Sequence, residues 1–289
     1  SFPTRRSSDL VYRYDNFHNK DAGGNTARGN GDSGINKYKI GLNLSSKVND
    51  YVKFNSRFLV AEENNGGFVE LGSGRNYTAG GGGNNAGSDE NASVTLSNAY
   101  FGFTAIPNTV VNIGKQGLTT PYTVAVDING NEQTGTGILA LSTFGPVTAG
   151  AGYFNNSNLN KSGNINYIMG ITVSDLVAGA GANAYGVDGG SDLYVATVQG
   201  DLDFVKLEAW YLGMQDTFNS YTLAATSNID LAENAKIGLE ARYVNLKLTN
   251  DATDRIASSI NPLNTASGVT LTGADFERKN DMFRLAVDG

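Results

Sequence analysis

Residues 37–60 read KYKIGLNLSSKVNDYVKFNSRFLV, and the alternation in this stretch decides the fold class. Tyr38, Ile40, Leu42 and Leu44 fall on one side of an extended chain, with Lys39, Gly41, Asn43 and Ser45 on the other. After the turn Lys47-Val-Asn-Asp50, Val52, Phe54, Phe58 and Val60 alternate with Lys53, Asn55, Arg57 and Leu59. Side chains in a strand repeat every two residues, so each arm carries one apolar and one polar face. The question is which face meets water, because that separates a soluble sandwich from a membrane barrel.

The same pattern recurs along the chain. Fourteen strands are predicted, at 11–15, 37–46, 51–61, 94–105, 110–118, 136–144, 147–154, 166–173, 176–184, 192–199, 204–213, 221–229, 236–248 and 281–288. Short connections at 47–50, 106–109, 144–146, 174–175, 199–203 and 230–235 interleave with longer polar ones at 16–36, 62–93, 119–135, 155–165, 185–191, 214–220 and 249–280. Every second connection is short. An up-and-down sheet with tight turns at one end gives that order, whereas Greek-key crossovers put long connections at both ends.

Segment length agrees, since a tilted strand needs about 9–11 residues to cross a bilayer core. Ala99, Phe101 and Phe103, then Val205, Leu207 and Ala209, Ile237, Leu239 and Ala241, and Phe283, Leu285 and Val287 make apolar faces suited to lipid. Lys53, Arg57, Lys206, Glu208, Glu240, Arg242 and Arg284 sit on the opposite faces. Aromatics gather near segment ends, where interfacial girdles belong. The predicted fold is all-β, a transmembrane antiparallel up-and-down β-barrel. The soluble alternative would pack the same apolar faces into one core.

Composition excludes other classes. With 40% hydrophobic residues, 17% charged residues and 37 glycines, no run approaches a membrane helix. A mean hydropathy of -0.26 suits a barrel, because half of each strand faces a wet lumen. No cysteine is present, which excludes disulfide scaffolds and thiolate zinc sites. A net charge of -7 argues against nucleic acid as a partner. The one histidine, His18, lies in a polar loop, so no enzyme is expected.

The first ten residues, SFPTRRSSDL, match one reading frame of a sequencing-adapter oligonucleotide and are set aside as foreign. Residues 11–289 then make a single barrel domain that begins and ends on strands. The expectation is a partial barrel that does not conduct by itself.

The stretch at 110–155, with Gly114-Lys-Gln-Gly-Leu118 and Thr134-Gly-Thr-Gly137, resembles the major outer membrane porins of Campylobacter and its relatives. Tyr12-Arg-Tyr-Asp15 and the strand pair at 37–60 look like the same family. The resemblance covers about residues 11–155, and only barrel-like pattern continues beyond. It implies a barrel of about 16 to 18 strands, of which the predicted segments are most. It also implies a homotrimer in outer-membrane lipid, a cation-preferring pore for passive diffusion of ions and small hydrophilic solutes, a dominant surface antigen, and a calcium ion near the constriction. A substrate-specific outer-membrane channel, or a surface adhesin without pore function, remains the alternative.

A pore needs no reacting groups, only a narrow place lined by charge. Porins commonly fold their third extracellular loop inward, and the third long connection here is 119–135. One reading sets its Asp127 and Glu132 opposite the wall residues Arg57 and Arg242; the other makes it an ordinary solvated loop. Lys53, Arg57, Lys206, Glu208, Glu240 and Arg242 would either form an electrostatic screen or simply hydrate the inner wall. Glu240 and Arg242, two apart, suit a pair along their strand. Asp127-Ile-Asn-Gly-Asn-Glu132 presents oxygens on Asp127, Asn129 and Glu132 as the first half of a calcium loop does. It lacks the sixth-position glycine and distal glutamate of an EF-hand. Asp188-Gly-Gly-Ser-Asp192 reads as a turn, and the glycine-asparagine tract at 72–87 as a surface loop.

Overall fold

The computed structural model describes residues 4–16, 34–62, 66–71, 89–127, 130–161, 187–232, 235–260 and 270–288. Its strands are β1 Thr4–Asn16, β2 Gly34–Lys47, β3 Val52–Glu62, β4 Val69–Leu71, β5 Ala92–Phe103, β6 Thr109–Gly117 and β7 Thr134–Phe144. They continue as β8 Val147–Ser157, β9 Leu193–Leu202, β10 Val205–Met214, β11 Phe218–Ala232, β12 Ala235–Leu248 and β13 Lys279–Asp288, with helix α1 at Asn250–Ile260. Sheet neighbours follow chain order, β1-β2-β3-β5-β6-β7-β8-β9-β10-β11-β12-β13, and β4 lies on β2. This is the up-and-down antiparallel order read from the connections.

Each strand read from the sequence is a strand here, apart from 166–173 and 176–184, which lie outside the described residues. β8 pairs directly with β9. β1 starts at Thr4, inside the segment set aside as foreign, and Thr4 to Leu10 pair with Ser46 to Ile40. Strand pairing asks only for free backbone groups and period-two faces, which this segment supplies.

Three features depart from expectation. The connection after β10 is not long: Gln215 to Thr217 close it as a tight turn, with Thr217 N–H donating to Met214 O and Asp216 at φ 53°. β4 was not anticipated, because three residues at the edge of a polar loop carry no periodicity. α1 was hidden in a polar stretch, although Ala252, Thr253, Ile256 and Ala257, all buried, recur at helical spacing. Thr249 caps it, accepting at its Oγ1 from Ala252 N–H at 3.2 Å.

The chain divides into two compact units. The first comprises residues 1–48, 54–99 and 126–132; the second comprises 49–53, 100–125 and 133–289. Within each, the faces are inverted relative to a soluble protein. In the first, Ile40 and Leu42 of β2 are exposed, while Lys39 is only 5% exposed and Gly41 is buried. In the second, Tyr194 and Val198 of β9 face out while Thr197 between them is buried, and Phe283, Leu285 and Val287 of β13 are 67–70% exposed. Apolar faces turned outward from polar ones suit a lipid surround and contradict one packed soluble core.

The inner face of the second unit is polar over one half only. Glu208, Thr226, Glu240 and Arg242 occupy the half nearer the β9–β10 turn at 203–204. Toward the other end, Leu193, Met214, Phe218 and Leu248 sit in cross-strand register, as do Val195, Leu212, Ser220 and Leu246. With Leu118, Phe154, Ala252 and Ile256, the apolar members of these rows form a buried cluster. A wholly polar inner wall is therefore corrected: at these strand ends the inner face is apolar, and α1 packs on it.

Placing Arg at Leu223, outward on β11, should cost about 2–4 kcal/mol of folding free energy in a bilayer. Arg at Thr226, between Lys206 and Glu240 on the polar face, should cost far less. Urea titration of the full-length protein in lipid vesicles reads both, and equal losses would contradict the assigned faces.

Candidate functional site

The connection 118–133 is built from local turns. In the first unit its tip folds back on itself: Val126 bridges Glu132, and Asp127 N–H donates to Asn131 O at 2.9 Å. Gly130 N–H donates to Asp127 O at 2.9 Å, and Gly130 sits at φ 79°, a conformation that glycine adopts without strain. The Asp127 carboxylate accepts from Asn131 N–H at 2.9 Å and from Asn131 Nδ2 at 3.1 Å. An aspartate that caps its own turn makes the tip short and stiff. A Cβ on Gly130 would come within 2.7 Å of the Phe68 ring, so the tip packs closely on that aromatic, which also lies 4.4 Å beneath the Arg13 guanidinium.

This geometry delivers Glu132 to the charged face of three strands. Lys39 of β2 donates from Nζ to Glu132 Oε2 at 2.5 Å and to Gly130 O at 2.5 Å. Arg57 of β3 donates from Nε to Oε1 at 2.9 Å and from Nη2 to Oε2 at 3.1 Å, a side-on fork. Ser97 of β5 donates to Oε1 at 2.6 Å. The Arg57 Nη1 continues to Asp9 at 2.5 Å and Asn43 Oδ1 at 3.0 Å. Gly41 makes room for this, since a Cβ there would lie 2.7 Å from both Nη1 and Nη2. A second set of charges flanks it: Arg13 and Lys37 share Asp15 at 2.9 and 3.5 Å, and Lys37 reaches Glu70 at 3.1 Å.

Glu132 is buried, as is Lys39. Burial pushes the Glu132 carboxyl up, but hydrogen bonds from Arg57, Lys39 and Ser97 together outweigh it and hold the group below the usual carboxylate range. A buried ion pair is stable only when its remaining lone pairs and protons are also satisfied, and here they are.

The other predicted wall residues are placed in the second unit. Lys206 and Glu208 stand 3.7 Å apart, and Arg242 Nε donates to Glu240 Oε1 at 3.0 Å, the pair along the strand that their spacing suggested. Lys53 is exposed. Asp188 to Ser191 close as a turn, with Gly190 N–H on Asp188 Oδ1 at 2.8 Å. His18, the tract at 72–87 and Asn129 lie outside the described residues. Sequence reasoning missed Lys39, Ser97 and Phe68; the signal for Lys39 was a lysine on the polar face two residues from a glycine.

Of the three residues read as calcium ligands, Asn129 lies outside the described residues and the other two have their oxygens engaged within the protein. Glu132 already gives both oxygens to two cationic side chains, and Asp127 gives both to Asn131. Among the described residues no three acidic, histidine or cysteine side chains gather as a metal site.

The sequence model of the Campylobacter major outer membrane protein matches residues 6–278. The chain belongs to that family. Its sheet is similar to solved outer-membrane proteins: OccD3 (OpdP) of Pseudomonas aeruginosa at 20% identity and TM-score 0.51, covering 86% of this chain and 50% of that one. OccAB1 of Acinetobacter baumannii aligns at 14% identity and TM-score 0.55, covering 98% and 60%. OpdK of Pseudomonas aeruginosa, solved with vanillate, aligns at 15% and TM-score 0.56, covering 86% and 59%. The chain thus spans 50% to 60% of the length of these structures. At such identities the likeness establishes the fold: an antiparallel outer-membrane β-barrel. No curated relative matches the chain. For a Campylobacter major outer membrane protein family member, the outward apolar faces are the bilayer faces.

Replacing Gly41 by Val should push the Arg57 guanidinium off Asp9, Asn43 and Glu132 and destabilise the protein by about 1–3 kcal/mol. Gly238→Ala, whose Cβ would meet nothing closer than 3.4 Å, should be neutral. Urea midpoints in vesicles measure the difference; equal midpoints would remove Gly41 from this role.

Proposed function

We propose that the protein is a water-filled outer-membrane channel through which ions and small hydrophilic solutes pass by diffusion, with the connection 118–133 as its constriction. The observation that carries this reading is Glu132, buried on the charged face of β2, β3 and β5 rather than exposed on a surface loop. Family membership supports the channel, the bilayer setting and a homotrimer. The side chains Arg13, Lys37, Lys39 and Arg57 interleave with Asp15, Glu70, Glu132 and Asp9. A wall so balanced favours hydration and size selection over capture of one solute.

The cation preference that the resemblance implies is assigned to Asp127, an acidic group of the tip. In planar bilayers, full-length protein should conduct, and uptake of a neutral sugar into vesicles should rise linearly with concentration. Saturation would favour a substrate-specific channel instead. Asp127→Asn should lower the cation preference read from the reversal potential. An unchanged potential would remove Asp127 from the conducting path.

A further inference from the structure

We propose that Lys39 is the positioning residue of the channel: acting through Glu132, it pins the tip of the third loop against the wall, and pore width follows whether that ion pair is intact. The proposal rests on the constriction reading above. Glu132 looked from the sequence like a selectivity carboxylate. Its geometry says otherwise, because a buried carboxylate facing two cations projects little field into water.

Lys39 differs from its neighbours in where its bonds go. Arg57 holds the wall as well as the loop, through Asp9 and Asn43, so it keeps partners whether or not the loop is seated. Both hydrogen bonds of Lys39 end on the loop, one on the Gly130 carbonyl and one on Glu132. Losing Glu132 while the tip stays seated would strand a buried ammonium, the costly outcome for a charge without partners, so the tip stays seated only while the pair is intact. One side chain thus fixes the tip at a backbone point and a side-chain point two residues apart.

Among the hydrogen bonds of the described residues, Glu132 is faced by Lys39 from β2, Arg57 from β3 and the neutral Ser97 from β5, and Asp9 of β1 is bonded to Arg57. A carboxyl held below its ordinary range contributes its docking energy fully at and above that range. The contribution is lost as pH falls through the lowered value. Acid should therefore release the tip, and neutral pH should hold it.

The chain has no cysteine, so Ser97→Cys places a single thiol beneath Glu132, where it reacts only when the tip lifts. In full-length protein carrying this reporter, Lys39→Met and Glu132→Gln should each speed maleimide labelling by about a hundredfold or more. Each should also raise single-channel conductance. The double variant should label more slowly than the product of the two single effects predicts, because the Lys39–Glu132 pair is lost in each. Lys39→Arg should restore slow labelling. Conductance should rise in acid for the Glu132 protein and stay flat for Glu132→Gln. Unchanged labelling in Glu132→Gln, or additive effects in the double variant, would overturn the pin. Glu132→Gln alters only a loop residue, so it carries the test where Lys39→Met fails to assemble. Faster labelling at unchanged conductance would leave the pin standing and overturn the constriction reading instead.

Discussion

Everything in this fold depends on one constraint: inside hydrocarbon, each backbone N–H and C=O must find a partner on a neighbouring strand. The register supplies those partners over long runs, with β1 and β2 matched from Thr4 to Asn16 and β11 and β12 matched from Phe218 to Asp230. Once strands are fixed by that demand, the side chains have only two places to go. Lipid takes the apolar side, and the charged side is left to face its own kind.

That second face is where the protein varies. In the first unit it is charged, and the charges are spent on one another, with lysine and arginine alternating against aspartate and glutamate. In the second it begins charged and ends as a packed apolar cluster under α1. A residue such as Leu246 or Phe218 there behaves as it would in a soluble core, although its strand neighbours Asn245 and Asn219 point the other way. The barrel pattern describes the strands; the contents of the inner face follow from what the long connections lay against them.

Most of the fold was legible because period two is a strong signal over ten residues, and because turn length reports connectivity. Lys37 to Val60 gave both arms and the turn between them. What stayed hidden is what period two cannot encode. The helix at Asn250–Ile260 reads as polar loop since only Ala252, Ile256, Ala257 and Ile260 are apolar, and the three-residue link at 215–217 lay within segment ends whose boundaries the pattern does not resolve. At the site, Arg57 and Glu132 could be named as opposed charges, because both are long-range partners by type. Lys39 was not named, since a lysine on a polar face two residues from a glycine reads as hydrated as readily as buried. The calcium reading had the same weakness, because alternate oxygens in 127–132 mark a turn as readily as a ligand set.

The tight link between β10 and β11 has a bearing on where this protein can be altered. Arg255 of α1 donates to Asp216 O at 2.6 Å and Thr217 Oγ1 at 3.3 Å, and Thr249 N–H donates to Thr217 O. The link is thus grasped by the following connection, with Asp216 already in the left-handed region. Inserted residues there would have to break that grasp and lift α1 off the apolar cluster. For peptide display or affinity tagging, the shortest of the outer connections is the one to leave untouched, and it should be poor ground for proteases for the same reason.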